Sequence, residues 1–133
     1  LYSVKICKNG SYKEIVVDDY FPCFNDQPAF SKAQGSEMWV LIMEKAWAKL
    51  HGSYERIEAG YSHNVFRDLT GAPAKSYTTS PDEESGNSDN LWKKMFEADE
   101  QMWLVTASAG ETNTSKNLLE SMGLVGNHSY GVL

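Results

Sequence analysis

The residues of this chain whose types suit acid–base, nucleophilic or metal chemistry are few. Those singled out by context are the imidazoles His51, His63 and His128, the thiols Cys7 and Cys23, and, of eighteen carboxylates, Asp18-Asp19, Glu37 and Asp82-Glu83-Glu84. The cysteines have the spacing of neither a metal knuckle nor a C-x-x-C redox pair, and two in 133 residues make no disulfide framework. They favour a reduced, cytoplasmic (intracellular) setting. Asp18-Asp19 has the composition of a glycosidase's paired carboxylates, yet adjacent residues of a strand point to opposite faces. The run Asp82-Glu83-Glu84 can attract a cation, but acidic runs in Ser/Gly-rich stretches are ordinarily just solvated. His51 falls at a helix end, where a positively inclined ring suits the dipole, and with His63 it is read as structural. A histidine just ahead of a strand, as His128 is, most often belongs to a surface or a core, so its neighbours must decide its role.

The elements that would position these groups follow from local pattern. Residues 1–7 alternate as a strand does, Asn9-Gly10 is a strong two-residue hairpin signal, and Tyr12 to Val17 form the return strand. Asp18 to Gly35 breaks this pattern and reads as an irregular arm. Glu37 to Leu50 is the strongest helix: it has no Pro or Gly inside, Ser36 can cap it, Gly52 follows it, and its apolar residues predict burial. Shorter helical stretches are expected over 53–59 and 62–69, stopped by Gly60 and by Thr70-Gly71-Ala72-Pro73. Residues 74–90 read as a polar connection into a helix over 88–101 whose apolar face is Leu91, Trp92, Met95 and Phe96. Strands are expected over 102–107 and 128–133, with a helical turn around 117–121. The tryptophans at 39, 47, 92 and 103 are assigned to core packing.

Composition narrows the function classes. With 41% hydrophobic residues the chain can bury a core, and its net charge of −6 lacks the clustered Lys and Arg that track phosphate backbones. Nucleic acid is excluded as a partner on that ground. No apolar run approaches the roughly 18 residues of a membrane span. The first residue is not Met and the last three, Gly131-Val132-Leu133, are apolar, from which a piece of a longer protein is expected.

A family comes into view in five blocks. Gly35-Ser36-Glu37-Met38-Trp39, followed by Glu44-Lys45-Ala46-Trp47-Ala48-Lys49-Leu50-His51-Gly52-Ser53-Tyr54-Glu55, closely resembles the calpain pattern G-N-E-F-W then E-K-A-Y-A-K-x-x-G-S-Y-E. Val16-Val17-Asp18-Asp19-Tyr20-Phe21-Pro22 resembles V-V-D-D-x-x-P, and Asp68-Leu69-Thr70-Gly71 resembles D-F/L-T-G. Gly123-Leu124-Val125-Gly126-Asn127-His128-Ser129-Tyr130 resembles L-V-x-G-H-A-Y, with Asn127 standing where the family usually has Gly.

The resemblance implies an α+β, papain-like cysteine proteinase fold in partial form. Residues 1–61 would be the C-terminal part of the mainly helical, Cys-bearing subdomain with its β-hairpin. Residues 62–133 would be the N-terminal part of the β-rich, His-bearing subdomain. It further implies a calcium-dependent intracellular cysteine endopeptidase working by a Cys-His-Asn mechanism, with His128 as general acid/base and protein or peptide substrates. The family's G-D-C-W and N-P-W-G blocks are not in the sequence, and neither Cys7 nor Cys23 precedes a Trp, so both are rejected as the nucleophile. The chain alone is therefore expected to be inactive, the flanking parts of the core being its first partners. Gly60 would lie along the bound peptide, Asn127 would border the substrate, and Glu37 would be one calcium ligand of an incomplete set. The alternative is a catalytically inactive calpain-like binding or scaffolding module.

Overall fold

The structure, a computed structural model, describes residues 1–79, 88–110 and 116–132, Ser88 by its backbone alone. The acidic run Asp82-Glu83-Glu84, with the rest of residues 80–87 of the polar connection, lies outside the described residues. Two compact units follow one another, Leu1–Lys75 and Ser76–Leu133.

In the first unit, strands β1 (Tyr2–Lys8) and β2 (Ser11–Val17) pair antiparallel, with Lys8 opposite Ser11. Asn9 and Gly10 close them with φ of 53° and 75°, both left-handed as a type I′ turn requires. Alternation does the rest. Val4 and Ile6 of β1 and Ile15 and Val17 of β2 share the face that meets helix α1 (Trp39–His51). Ile6, Val17, Ile42 and Ala46 form the buried centre, and Phe21, Trp47, Leu50 and Leu69 pack around it. Between hairpin and helix lies a second, minimal hairpin missed in the sequence, β3 (Cys23–Phe24) with β4 (Gln27–Pro28), turned by Asn25 and Asp26 at φ of 50° and 58°.

Helix α1 begins two residues later than its composition suggests. Met38 is the cap residue, no side chain caps it, and neither Ser36 nor Glu37 lies in the first turn. The stretch expected as a helix over 53–59 is a single 3₁₀ turn, Glu55–Ile57. Helix α2 (Ser62–Thr70) ends at Gly71 in the left-handed conformation and packs on β1 inside this first unit. The expected boundary near residues 61 and 62 concerns the lobes of a complete core, whereas these compact units divide between Lys75 and Ser76.

Most of the motif blocks in this unit hold one another. Lys45 donates to the Asp18 carboxylate and to the Tyr20 carbonyl, and Lys49 donates to the Val16 carbonyl at 2.7 Å. Glu44 accepts from the Ser31 amide at 3.2 Å and its hydroxyl at 2.7 Å, tying the arm to α1. From the D-L-T-G block, Asp68 is 2% exposed and accepts from Lys8 at 2.5 Å and Arg67 at 3.3 Å. Lys8 also lies 3.1 Å from Nε2 of His51, whose Nδ1 is 2.9 Å from the Trp47 carbonyl. An ammonium only donates, so in this contact Nε2 is the acceptor. His51 is held at the end of α1 between Lys8 and the Trp47 carbonyl.

In the second unit, helix α3 (Ser88–Glu100) buries Ala98, and β5 (Val105–Ala109) pairs antiparallel with β6 (His128–Val132). Helix α4 (Lys116–Ser121) stands between them in sequence. The assignment of the tryptophans to core packing needs correction: Trp39, Trp92 and Trp103 are 60%, 67% and 60% exposed, and only Trp47 packs against the buried centre. Periodicity marks an apolar face without saying what covers it.

Candidate active site

The region around His128 is assembled from a helix stop, a turn and a strand start. Helix α4 ends with Gly123 at φ 74°, the Gly123 amide donating to Glu120 at 3.0 Å and the Leu124 amide to Leu119 at 2.9 Å. That paired bonding is the Schellman pattern, in which a glycine at the left-handed position reverses the chain. Residues 124–127 then turn, and Asn127 at φ 53° delivers the chain into β6 with His128 as its first residue. The departure from the family pattern is thus physically mild. The position requires a left-handed backbone, which glycine adopts freely and asparagine tolerates better than most residues.

On the β5–β6 ribbon, His128 pairs with Ala109, Tyr130 with Ala107 and Val132 with Val105. Alternation puts these six side chains on one face and Thr106, Ser108 and Ser129 on the other. The hydroxyls of Ser108 and Ser129 meet at 3.1 Å on that polar face. The methyls of Ala107 and Ala109 leave room on the first face for two rings. His128 and Tyr130 stand edge to face there, centroids 5.0 Å apart and planes at 78°. The imidazole is exposed.

The other candidates lie in the first unit. Gly60 is exposed, does not adopt a left-handed φ, and a Cβ added there would meet nothing within 4 Å. Neither local conformation nor packing within the unit demands a glycine at that position. Glu37 is exposed and accepts from the Trp39 indole at 3.2 Å. One such carboxylate does not fit a calcium site, which takes six to eight oxygens, and no cluster of three His, Cys, Asp or Glu side chains occurs among the described residues. Cys7 is buried on β1, while Cys23 is exposed on β3, its thiol 3.5 Å from the Phe21 carbonyl. Neither sits at a helix N-terminus, where a thiolate would be stabilised. His63 stacks on Tyr61 with centroids 5.5 Å apart, a structural contact.

Comparison with known proteins agrees with this assembly of parts. The family model described as calpain family cysteine protease matches residues 1–133. The calpain-type cysteine protease DEK1 of Zea mays is 36% identical over 137 residues, covering 100% of this chain and 6% of that protein. The calpain-2 catalytic subunit of Gallus gallus is 33% identical over 134 residues, covering 99% of this chain and 18% of that protein. Calpain-10 of Rattus norvegicus is 36% identical over 78 residues, 58% of this chain and 12% of that protein. The chain therefore belongs to the calpain family of cysteine proteases. It spans only 6% to 18% of the lengths of these relatives. Among the described residues, no helix is long and apolar enough to cross a membrane.

Proposed function

We propose that this chain is part of the papain-like core of an intracellular, calcium-dependent cysteine endopeptidase, with His128 as its general acid/base. The observation that carries the reading is the placement of His128: an exposed imidazole opening β6, directly after a residue at φ 53° where the family motif has glycine. In the reaction proposed, a cysteine thiolate outside residues 1–133 attacks the scissile carbonyl carbon. As the C–N bond breaks, the His128 imidazolium gives its proton to the leaving amine. The neutral imidazole then takes a proton from a water whose oxygen attacks the thioester carbonyl carbon, and the C–S bond breaks to release the acid product and restore the thiolate–imidazolium pair. An asparagine, also outside this chain, would orient the ring. The open space at Gly60 supports its reading as a surface along which a peptide backbone passes, and Asn127 would border substrate beside His128. Calcium would need Glu37 together with ligands from elsewhere in the parent protein.

The test is peptide hydrolysis by the complete protease core of the parent, with calcium or with a chelator. His128→Ala should lower kcat by at least about 10³-fold. Turnover that survives this substitution would sink the assignment. A core that binds peptide without hydrolysing it would identify a calpain-like binding or scaffolding module instead.

A further inference from the structure

We infer that Tyr130 is a positioning residue for the His128 imidazole, an inference that rests on the catalytic reading of His128. Two contacts define it. The ring of Tyr130 meets the imidazole edge to face at 5.0 Å and 78°, on the same face of the ribbon. Its hydroxyl is held at the other end, accepting from the Val125 amide at 2.6 Å and lying 3.4 Å from the Val125 carbonyl. Val125 belongs to the turn that runs from α4 into β6.

Tyr130 therefore bridges the segment before His128 and the strand that carries it. A ring tethered at both ends has lost most of its torsional freedom, and a histidine packed against it loses part of its own. The facing residues Ala107 and Ala109 contribute only methyls, so the tyrosine is the one large side chain beside the imidazole on that face among the described ribbon residues. A general acid/base must hold its nitrogen within hydrogen-bond reach of the thiol, and a displacement of about 1 Å can cost on the order of 10²-fold in rate.

The experiment compares Tyr130→Phe and Tyr130→Ala in the complete parent core, each checked for folding by its thermal melt. Tyr130→Ala should lower kcat about 10- to 100-fold with KM unchanged. Tyr130→Phe keeps the ring, loses the tether at Val125, and should fall between that variant and the parent. A merely structural tyrosine would not alter the catalytic thiol, so its alkylation rate is followed against pH. With a misplaced imidazole the thiol should titrate nearer the value of about 8.5 of a free cysteine. In the 133-residue chain itself, the His128 ring protons should carry a ring-current shift that Tyr130→Ala removes and Tyr130→Phe retains. Unchanged kcat and an unchanged thiol profile in Tyr130→Ala, in a core that His128→Ala inactivates, overturn this inference alone. Full activity in His128→Ala overturns the catalytic reading and the inference with it.

Discussion

The ammonium of Lys8, at the tip of strand β1, lies 2.5 Å from the Asp68 carboxylate on helix α2, and only 2% of Asp68 is exposed. This pair joins the first strand of the chain to a helix that follows it by 60 residues, and Arg67 and His51 complete the arrangement.

Removing either partner should destabilise the first unit. A buried pair broken on one side typically costs about 3–5 kcal/mol, because the remaining charge is stranded. Lys8 keeps 28% of its side-chain surface in water, which softens that penalty. Lys8→Ala and Asp68→Asn are each expected to cost about 2 kcal/mol, read from urea unfolding of the full chain. The pH dependence has a definite sign. Burial pushes the Asp68 carboxyl up, but hydrogen bonds from Lys8 and Arg67 and their charges outweigh it, leaving it below its ordinary 3.8. The unfolded chain therefore takes up the proton first as pH falls. The stabilisation is complete above the unfolded value and is lost between 3.8 and the lower native value. Asp18, lowered chiefly by its hydrogen bond from Lys45, acts in the same direction. Asp68→Asn should leave only the part due to Asp18, and an acid limb unchanged by the substitution would contradict the pairing.

The left-handed residue before His128 gives a second prediction. Asn127→Gly should be neutral or stabilising by up to about 1 kcal/mol, because φ of 53° suits glycine better still. Asn127→Val should cost about 2 kcal/mol, since a β-branched residue strongly resists that region. Thermal melts of the two variants rank them, and equal melting temperatures would mean that the backbone there is not left-handed.

Gly71 supplies the third. It sits at φ 72°, and a Cβ there would come within 2.5 Å of the Tyr12 hydroxyl oxygen, which donates to the Thr70 carbonyl at 3.0 Å. Gly71→Ala should cost about 2 kcal/mol from backbone strain plus the displaced tyrosine, and Tyr12→Phe about 1 kcal/mol. Combined with Tyr12→Ala, the glycine substitution should cost less than the two single changes added together, because the clash is gone. Strict additivity in the double-mutant cycle would refute the contact.

What could be read without coordinates was local. The hairpin of β1 and β2 followed from alternation and Asn9-Gly10, and α1 from an unbroken run of helix formers, because both signals act within a few residues. His128 was legible as part of a motif, and the left-handed φ of Asn127 now supplies a physical reason for glycine in that motif. Long-range pairing was not legible. Twelve Lys and Arg face eighteen Asp and Glu in the sequence, and nothing in their order says that Lys8 meets Asp68. The strands β3 and β4 are two residues each, too short for alternation to show, although Asn25-Asp26 is a turn-prone pair that could have flagged them. Tyr130 was visible only as a letter in a pattern, since its tether to Val125 depends on how the turn before β6 folds back.

The reach from Lys8 to Asp68 bears on the order in which this protein matures. The β1–β2 ribbon pairs sequence neighbours, but its tip is finished only by Asp68, 60 positions after Lys8. Spanning that gap costs chain entropy before any contact repays it. A nascent polypeptide halted short of α2 would therefore hold a paired ribbon whose terminal ammonium still waits for its counter-ion.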